Sequence, residues 1–371
     1  MADDVVFSEH GGSLGGSGFS VPVVEGYDEE ECAGLEPFFY DEAQAIADHE
    51  RQMRREQEKA RLVELRERSL QAYDLIQDND PKQGGRYFTR VYLAAFNEFD
   101  IDEESPLGPM RYANTVYKEG ESCLLYRAVN ILSVKIVSLD VNFPIHVYGT
   151  IIVRDNLDCK CVYVFRRDRD NCQVIQSKAQ HLILEGPKRG LVLIDNMFIE
   201  INLKIKDIRR KGLQQQRDRE FSKGFVSIRG TRALEKCEVE SKSLATRLST
   251  VEVMCAVVKQ GLEATIAIEV IQGVFTGKIT AYTTSIPNTL VLHDIKVSGK
   301  KACGVKGVIQ LLWPVITVYY RDMMIIVIQT VDGISKHTIE FTPKISGAEE
   351  DVITVGVTKM HVKVTWSVLK L

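Results

Sequence analysis

The sequence predicts a mainly β protein, in which an antiparallel β-sandwich or barrel-like C-terminal domain follows a long charged helix and a disordered acidic N-terminus. The β-domain is indicated by residues 197–206, 262–270 and 360–368, where apolar and polar side chains alternate. This period of two is typical of antiparallel strands with one face in the core and one in water. The helix is indicated by residues 41–77, which are rich in charge and contain neither glycine nor proline. The tail, residues 1–40, has nine acidic residues and no Lys or Arg.

Residues 1–40 are predicted to be disordered because they offer too little apolar surface to offset the entropy lost on ordering a chain. Residues 10–18 contain five glycines, a composition that also occurs in phosphate-binding loops. Such a loop follows a strand and precedes a Lys-Ser or Lys-Thr pair, and this segment has neither feature. We therefore interpret the glycines as a flexible linker.

The chain begins with the acidic residues Asp3 and Asp4, where a secretory signal carries positive charge. The apolar stretch near 311–331 is interrupted by Pro314, Arg321 and Asp322, so we do not expect it to span a membrane. The expected location is the cytoplasm or the nucleus, where the eight cysteines would be reduced thiols.

Residues 41–78 form the predicted helix. Asp41 is positioned to cap its start, and Gln44 lies three residues later, as in a capping box. The sequence Asp78–Pro81 is expected to end it. Two pairs at i,i+4 spacing support an exposed helix: Glu50 with Arg54, and Glu64 with Arg68.

An apolar seam runs along the second half of this helix. It consists of Leu62, Leu65, Ala72 and Ile76, with Ser69 between them. Because the seam covers fewer than three heptads, we favour a helix that rests its last turns on the body of the protein over a coiled coil. Protein partners are expected to bind through the 41–78 helix.

Residues 79–127 are predicted to be a connector. Its aromatic side chains should anchor it on the β-domain; they are Tyr87, Phe88, Tyr92, Phe96 and Phe99. The all-β domain follows at 128–371. Further strands are expected near 131–138, 145–153, 160–166, 181–184, 224–228, 250–258, 274–284, 305–312, 314–320, 323–331 and 336–342.

A weak internal similarity suggests two β-halves, 128–232 and 248–371. Residues 147–151 and 274–279 both place an aromatic residue and then a glycine near the start of a strand. A helical pattern competes with the strand pattern in one window, 232–247, but its apolar spacing is poor.

Several short motifs resemble a family of domains of unknown function found chiefly in grasses. They are Phe143–Gly149, Arg154–Asp158, Phe165–Asp170, Leu184–Gly190, Ser222–Gly224, Phe275–Ala281 and Val362–Ser367, with the connector motif Asp102–Tyr112 before them. The resemblance implies a β-rich domain that also occurs fused to jasmonate-induced ribosome-inactivating proteins of cereals, and hence a stress or defence setting. The N-glycosidase of those toxins needs Glu-x-x-Arg beside Trp and Tyr. Here Glu58–Arg61 lies on a charged helix with no Trp near it in the sequence.

Two clusters of side chains are candidates for metal sites. Cys159 and Cys161 share a strand face and could join Cys172 around zinc, but a structural zinc site needs a fourth ligand that the sequence does not supply. The second cluster could bind calcium and consists of Asp155, Asp158, Asp168 and Asp170. Arginines are interleaved with these aspartates, so we expect ion pairs instead. No metal or other cofactor is expected.

The segment 204–223 is the most basic part of the chain, with eight basic and three acidic residues. Its candidate polyanion-binding residues are Lys204, Lys206, Arg209, Arg210, Lys211, Arg217, Arg219 and Lys223. Such a loop can grip phosphates. It offers only Phe221 for stacking on bases, so a solvated loop is favoured over an RNA site.

These observations favour a non-enzymatic binding or regulatory module in a plant stress or defence setting. Two alternatives stay open. One is an RNA- or ribosome-associated protein that uses 204–223. The other is a hydrolytic enzyme whose site is assembled from separate loops.

The charge division generates a first prediction, that the acidic tail screens the basic loop. A flexible chain of 40 residues spans about 35 Å, enough to reach across the body. Deleting residues 1–40 should strengthen binding to RNA or heparin, and the gain should shrink above about 0.3 M salt. Replacing Arg209, Arg210 and Lys211 with Ala should abolish the gain. Equal binding by the truncated and full-length proteins at low salt would leave the tail as a solubilising segment.

Overall fold

The computed structural model describes residues 41–80, 82–93, 96, 98–118, 123–207, 218–298 and 307–371. The predicted tail, and Arg209, Arg210, Lys211 and Arg217 of the basic loop, lie outside the described residues. The chain divides into two compact units, Met1–Arg61 and Leu62–Leu371. None of the helices described is both long enough and apolar enough to cross a membrane.

Helix α1 spans Glu42–Leu75. Asp41 caps it as predicted, because Asp41 Oδ1 accepts a hydrogen bond from the Gln44 backbone N–H at 3.1 Å. The expected ion pairs form, with 3.8 Å between Arg54 and Glu50 and 3.1 Å between Arg68 and Glu64. The C-terminal end differs from the prediction. The segment expected to end the helix forms strand β1 instead, Gln77–Asp80, paired in a hairpin with β2, Gly85–Phe88.

The last turns of α1 pack on the connector. Ala72 and Ile76 are buried against Phe96 and Ile101, and the Ile76 carbonyl accepts a hydrogen bond from the Thr89 backbone N–H. Leu62, at the start of the predicted seam, is exposed. The preference for a helix that rests its last turns on the body is therefore confirmed.

The β-domain contains seventeen described strands, one short α-helix and one 3-10 turn, Arg169–Asn171. The first group of strands is β3 (Arg127–Leu139), β4 (Ile145–Arg154), β5 (Val162–Arg167), β6 (Gln173–Ile175), β7 (Leu191–Leu193), β8 (Asn196–Ile205), β9 (Arg219–Arg229), β10 (Glu238–Thr246) and β11 (Ser249–Val258). The second group is β12 (Gly261–Gln272), β13 (Gly277–Thr283), β14 (Leu290–Asp294), β15 (Val315–Tyr319), β16 (Met324–Thr330), β17 (Lys336–Phe341), β18 (Ser346–Val355) and β19 (Thr358–Val368). Helix α2, Ile295–Ser298, follows β14.

The two groups repeat one strand order. In the first, the sheets are β10-β11-β3-β7 and β5-β4-β8-β9, with β6 also paired to β4. In the second, they are β18-β19-β12-β15 and β14-β13-β16-β17. Taken in chain order, apart from β6, each strand of one group has a counterpart at the same place in the other. The two similar sequence segments lie at β4 and at the start of β13, which are counterparts. The change from the first repeat to the second falls between Val258 and Gly261. The division into the halves 128–232 and 248–371 stays a prediction.

Most expected strands are present, but two expected windows lack a full strand, and β6, β7, β10, β14 and β18 lie outside the expected windows. Residues 181–184 form only an isolated bridge, between His181 and Lys135. The described part of 305–312 forms only the bridge between Val308 and Glu269. The window 232–247 contains strand β10, whose nine residues all pair with β11. Strand pairing across the sheet thus overrides its weak helical pattern.

Buried polar side chains join the two groups of strands. Asn130 of β3 donates from Nδ2 to the Thr317 carbonyl of β15 at 2.7 Å and accepts from the Thr317 N–H at 2.9 Å. In the opposite direction, Glu263 of β12 accepts from the N–H of Gly190, just before β7, at 2.6 Å. Strands β3 and β12 are counterparts, as are β15 and β7. The two groups therefore hold each other through equivalent positions.

Trp366 of β19 is fully buried, as the alternation in 360–368 predicted. Trp366→Ala should lower the free energy of unfolding by about 3–5 kcal/mol, because it removes a large buried side chain and leaves a cavity. Ile334→Ala, at an apolar position that is 84% exposed, is the control and should change it by less than about 0.5 kcal/mol. Denaturant titration measures both, and a loss below about 1 kcal/mol for Trp366→Ala would contradict the assigned strand face.

Candidate functional site

A buried carboxylate, Glu200 on β8, joins the connector to the sheet. Glu200 Oε1 accepts from Arg154 Nε at 2.9 Å and from the Val91 N–H at 3.2 Å. Glu200 Oε2 accepts from Arg90 Nε at 2.8 Å. Arg154 also donates to the Ile101 carbonyl, so both ends of the connector segment 90–101 meet this pair. The arrangement offsets the cost of burying charge by giving the carboxylate several donors.

A second buried pair lies further along the connector. Arg189 binds Asp155 through two parallel hydrogen bonds of 2.6 and 2.9 Å, the bidentate geometry that favours arginine. Burial opposes the charge on Arg189, but the hydrogen bonds and charge of Asp155 outweigh it and raise the pKa of the guanidinium. Asp158 accepts from Arg189 at 3.2 Å and from the Ser105 hydroxyl at 2.6 Å. Ser105 of the connector is thereby fixed to the same pair.

Glu263 on β12 makes the third contact. Its two carboxylate oxygens accept from the backbone N–H groups of Met110 and Gly190, both at 2.6 Å. Burial raises the pKa of Glu263, although these two donors act in the opposite direction. We call the five buried side chains the connector clamp: Arg154, Asp155, Arg189, Glu200 and Glu263.

The connector clamp explains several of the sequence motifs. Arg154–Asp158, Leu184–Gly190 and Asp102–Tyr112 are the segments that meet in it. A family model matches residues 128–364, from β3 to within the last strand. This chain belongs to the DUF6598 family, a domain of unknown function. The match includes both repeats of the strand order, and no curated protein matches the sequence.

Some of the aromatic side chains of the connector contact the DUF6598 domain, and others contact α1. The Tyr87 hydroxyl donates to the Lys223 carbonyl at 2.7 Å, and Phe96 lies under the Arg154 guanidinium, 5.1 Å from its ring centre. Phe88 and Tyr92 instead pack edge-on against Tyr73 of α1, each at 5.7 Å between ring centres. The aromatic residues therefore join α1, the connector and the domain.

A small polar cavity lies between the connector and the outer face of the β5-β4-β8-β9 sheet. Its lining is Thr89, Arg90, Asp102, Thr150, Ile152, Tyr163, Glu200, Ile201, Asn202 and Lys223. Both cations are already paired, Arg90 with Glu200 and Lys223 with Asp78. The charges of this cavity thus stabilise the connector.

A larger and more apolar cleft opens between the two repeats. Leucines and Trp313 form most of its walls; the lining includes Leu132, Leu182, Leu184, Leu290, Leu312 and Trp313. His181, Ser133 and Asp294 supply polar groups. No local sequence pattern predicts this cleft, because its walls come from segments more than 100 residues apart.

The described basic residues of 204–223 lie where β8 and β9 approach the loop. Lys206 Nζ is 3.3 Å from Asp170, and Lys223 Nζ is 2.7 Å from Asp78. Lys204 is half-buried on β8 and Arg219 is exposed at the start of β9. Between the strands, burial disfavours the charge on Asp218, but hydrogen bonds from Arg169 and Tyr148 hold the pKa of its carboxyl at about 2. The polyanion site stays a prediction, with two of its described lysines in ion pairs.

The proposed metal ligands are separated by other contacts. Asp155 and Asp158 face Arg189, as the ion-pair interpretation expected, whereas Asp170 faces Lys206. Cys161 Sγ contacts the Ile101 carbonyl at 3.4 Å, and Cys172 Sγ lies beside His146. Within the part of the chain that the structure describes, no three His, Cys, Asp or Glu side chains are grouped to hold a metal ion.

The exposed side of α1 carries large apolar side chains. Leu62, Val63 and Leu70 are each more than half exposed, at 55%, 57% and 57%. Val63 and Leu70 are seven residues apart and therefore lie on one side of the helix, away from Ala72 and its buried contacts. We call Leu62, Val63 and Leu70 the helix patch. In the N-terminal unit, Ile46 and Met53 are exposed as well.

The clamp generates a stability prediction for Glu200→Gln. The substitution should lower the free energy of unfolding by about 3–5 kcal/mol, because Arg154 stays buried without a counter-charge. Glu235→Gln, the same change at an exposed side chain, is the control and should have almost no effect. Urea titration of the full chain compares the two. A loss below about 1 kcal/mol for Glu200→Gln would mean that the clamp does not stabilise the domain.

Proposed function

We propose that this DUF6598 protein is a non-enzymatic binding module that docks a protein partner on the helix patch. The observation that carries the proposal is the exposure of Leu62, Val63 and Leu70 within nine residues of one helix. Amphipathic helices that insert their apolar side into a groove are a common mode of protein recognition. The connector occupies the side of α1 that carries Ala72. Val63 and Leu70 lie on the opposite side, and Leu62 lies at the edge between the two sides, so this part of the helix surface is left for a partner.

The buried charges of the domain support this interpretation. Each clamp carboxylate has a donor on both oxygens: Asp155 from Arg189 and the Val192 N–H, Glu200 from two arginines, and Glu263 from two backbone N–H groups. Such groups fix geometry, because each hydrogen bond holds its donor in a defined direction. The domain is thus built to hold the helix in a defined place.

The proposal extends to the setting. The resemblance to domains fused to ribosome-inactivating proteins of cereals suggests a plant stress or defence role, in the cytoplasm or the nucleus. The alternatives rest on narrower grounds. An RNA- or ribosome-associated role rests on the charge of 204–223, and a hydrolytic role rests on loops meeting in space. For neither alternative do the described residues offer an observation as direct as the exposure of the helix patch.

The test is capture from extracts of the source organism with three baits. These are the full chain, a variant with Leu62, Val63 and Leu70 each replaced by Gln, and a matched control. The control carries Gln at Val331, Ile334 and Val357, which are exposed apolar residues elsewhere. Gln keeps helix propensity close to that of Leu, and circular dichroism checks that α1 persists.

We expect at least one protein to bind the full chain and the control but to lose about tenfold or more with the helix variant. Three buried apolar side chains at an interface contribute several kcal/mol, so a loss of that size is the minimum expected. Purified candidates are then titrated against all three baits. Indistinguishable binding by the helix variant and the control would remove the helix patch as the docking site.

A further inference from the structure

We propose that Cys172 is a reactive thiol, activated by His146, at which the protein forms a mixed disulfide with a small anionic disulfide. Cys172 Sγ lies 3.8 Å from His146 Nδ1, and both residues are half-exposed. A thiol beside an imidazole that can accept its proton is the arrangement found in nucleophilic cysteines. The site is separate from the helix patch and does not depend on it.

Strand pairing fixes this contact. Strand β6 pairs antiparallel with β4, so that Val174 is opposite His146 and Gln173 is opposite Val147. Cys172 immediately precedes β6, two residues from Val174, and therefore projects from the same face as His146. Diagonal neighbours on one face of an antiparallel pair lie within reach of each other. The 3-10 turn Arg169–Asn171 leads the chain into this position.

The charged groups around the pair come from four elements. Arg167 of β5 donates to the Asn171 carbonyl at 3.4 Å, next to Cys172. At the end of β8, the Lys206 N–H donates to the His146 carbonyl, and its ammonium pairs with Asp170 of the 3-10 turn. Tyr148, on β4, and Arg169 both bind Asp218. The two carboxylates near the pair, Asp170 and Asp218, thus each have a cationic partner.

Arg167 supplies the recognition element for an anion. The Arg167 Nε atom is buried, and no described residue forms a hydrogen bond with it. Its guanidinium also lies 5.9 Å from the ring centre of Phe165. The Arg167 guanidinium lies beside Cys172, because its Nη1 donates to the Asn171 carbonyl, and its positive charge favours an anionic disulfide at the thiol.

Other cysteines of the domain have the opposite surroundings. Burial and the carboxylates of Asp155 and Asp158 raise the pKa of Cys159. Burial likewise raises the pKa of Cys161 and of Cys237, and it raises that of Cys255 to about 12. A raised pKa keeps a thiol protonated and unreactive at neutral pH. Cys123 is half-exposed like Cys172 and serves as the internal reference.

The reaction is thiol–disulfide exchange. The Cys172 proton passes to His146 Nδ1, and Sγ attacks one sulfur of the small disulfide. The disulfide bond breaks as the new S–S bond to Sγ forms, and the departing thiolate takes the proton from the imidazolium. The incoming disulfide is the oxidant, so no further redox partner is required.

The first experiment measures alkylation of the full chain by limiting iodoacetamide, with each cysteine peptide quantified by mass spectrometry. At pH 7 we expect Cys172 to react about tenfold faster than Cys123, since ordinary thiols are only slightly ionised there. At pH 9.5, where ordinary thiols are largely ionised, the ratio should fall to about twofold. A ratio near one at pH 7, or an unchanged tenfold ratio at pH 9.5, would overturn activation; the latter would indicate accessibility alone.

Two variants assign the roles. His146→Asn should slow Cys172 about tenfold at pH 7, whereas the control His361→Asn, at another half-exposed strand histidine, should leave it unchanged. Arg167→Gln should slow mixed-disulfide formation with oxidised glutathione, which is anionic, but not alkylation by neutral iodoacetamide. If His146→Asn has no effect, the imidazole is not the base. If Arg167→Gln slows the reactions with oxidised glutathione and iodoacetamide equally, Arg167 does not recognise the anion.

Discussion

The rest of the structure depends on the Glu200 carboxylate, held between Arg154 inside the domain and Arg90 on the connector. Removing a carboxylate and a guanidinium from water costs several kcal/mol each, so the arrangement is stable only when every partner is present. Arg90 and Val91 therefore stabilise the β-domain by binding its buried carboxylate, and the same bonds hold the connector in place. The buried state of Glu200 joins the connector segment 90–101 to the domain, although the family match begins at residue 128.

The same principle operates between the two repeats. Asn130 and Glu263 are polar residues on counterpart strands, and each satisfies backbone groups of the other repeat. An apolar contact alone would tolerate small rotations between the repeats, whereas these directional hydrogen bonds do not. Unsatisfied backbone groups in such a place would cost about 1–3 kcal/mol each. One polar residue in each direction thus fixes the orientation of the repeats.

The sequence predicts strands well where one face is buried and the other is in water. Strands β12 and β19 show this alternation, and Trp366 lies on the predicted face. Strand β10 was missed because it is an edge strand with most side chains at least partly exposed, which leaves no apolar period. The alternation in 197–206 and 262–270 predicts that Glu200 and Glu263 face water, and the structure buries both. The hydrogen-bond partners of both carboxylates are distant in sequence. The polar faces of β8 and β12 become buried only when the connector folds over them. No local sequence pattern could therefore identify Glu200 and Glu263 as buried.

The position of the helix patch follows from these contacts. Asp78, just after α1, pairs with Lys223 at 2.7 Å and Arg247 at 2.6 Å. Burial disfavours its charge, but these bonds bring the pKa of Asp78 down to about 2, so the pairs persist at every physiological pH. Ala72 and Ile76 are held by the connector, which the clamp holds in turn. Residues 62–75 are therefore fixed to the DUF6598 domain at several points. A partner bound there would lose little affinity to ordering of the helix, because that entropy is already lost in the folded chain.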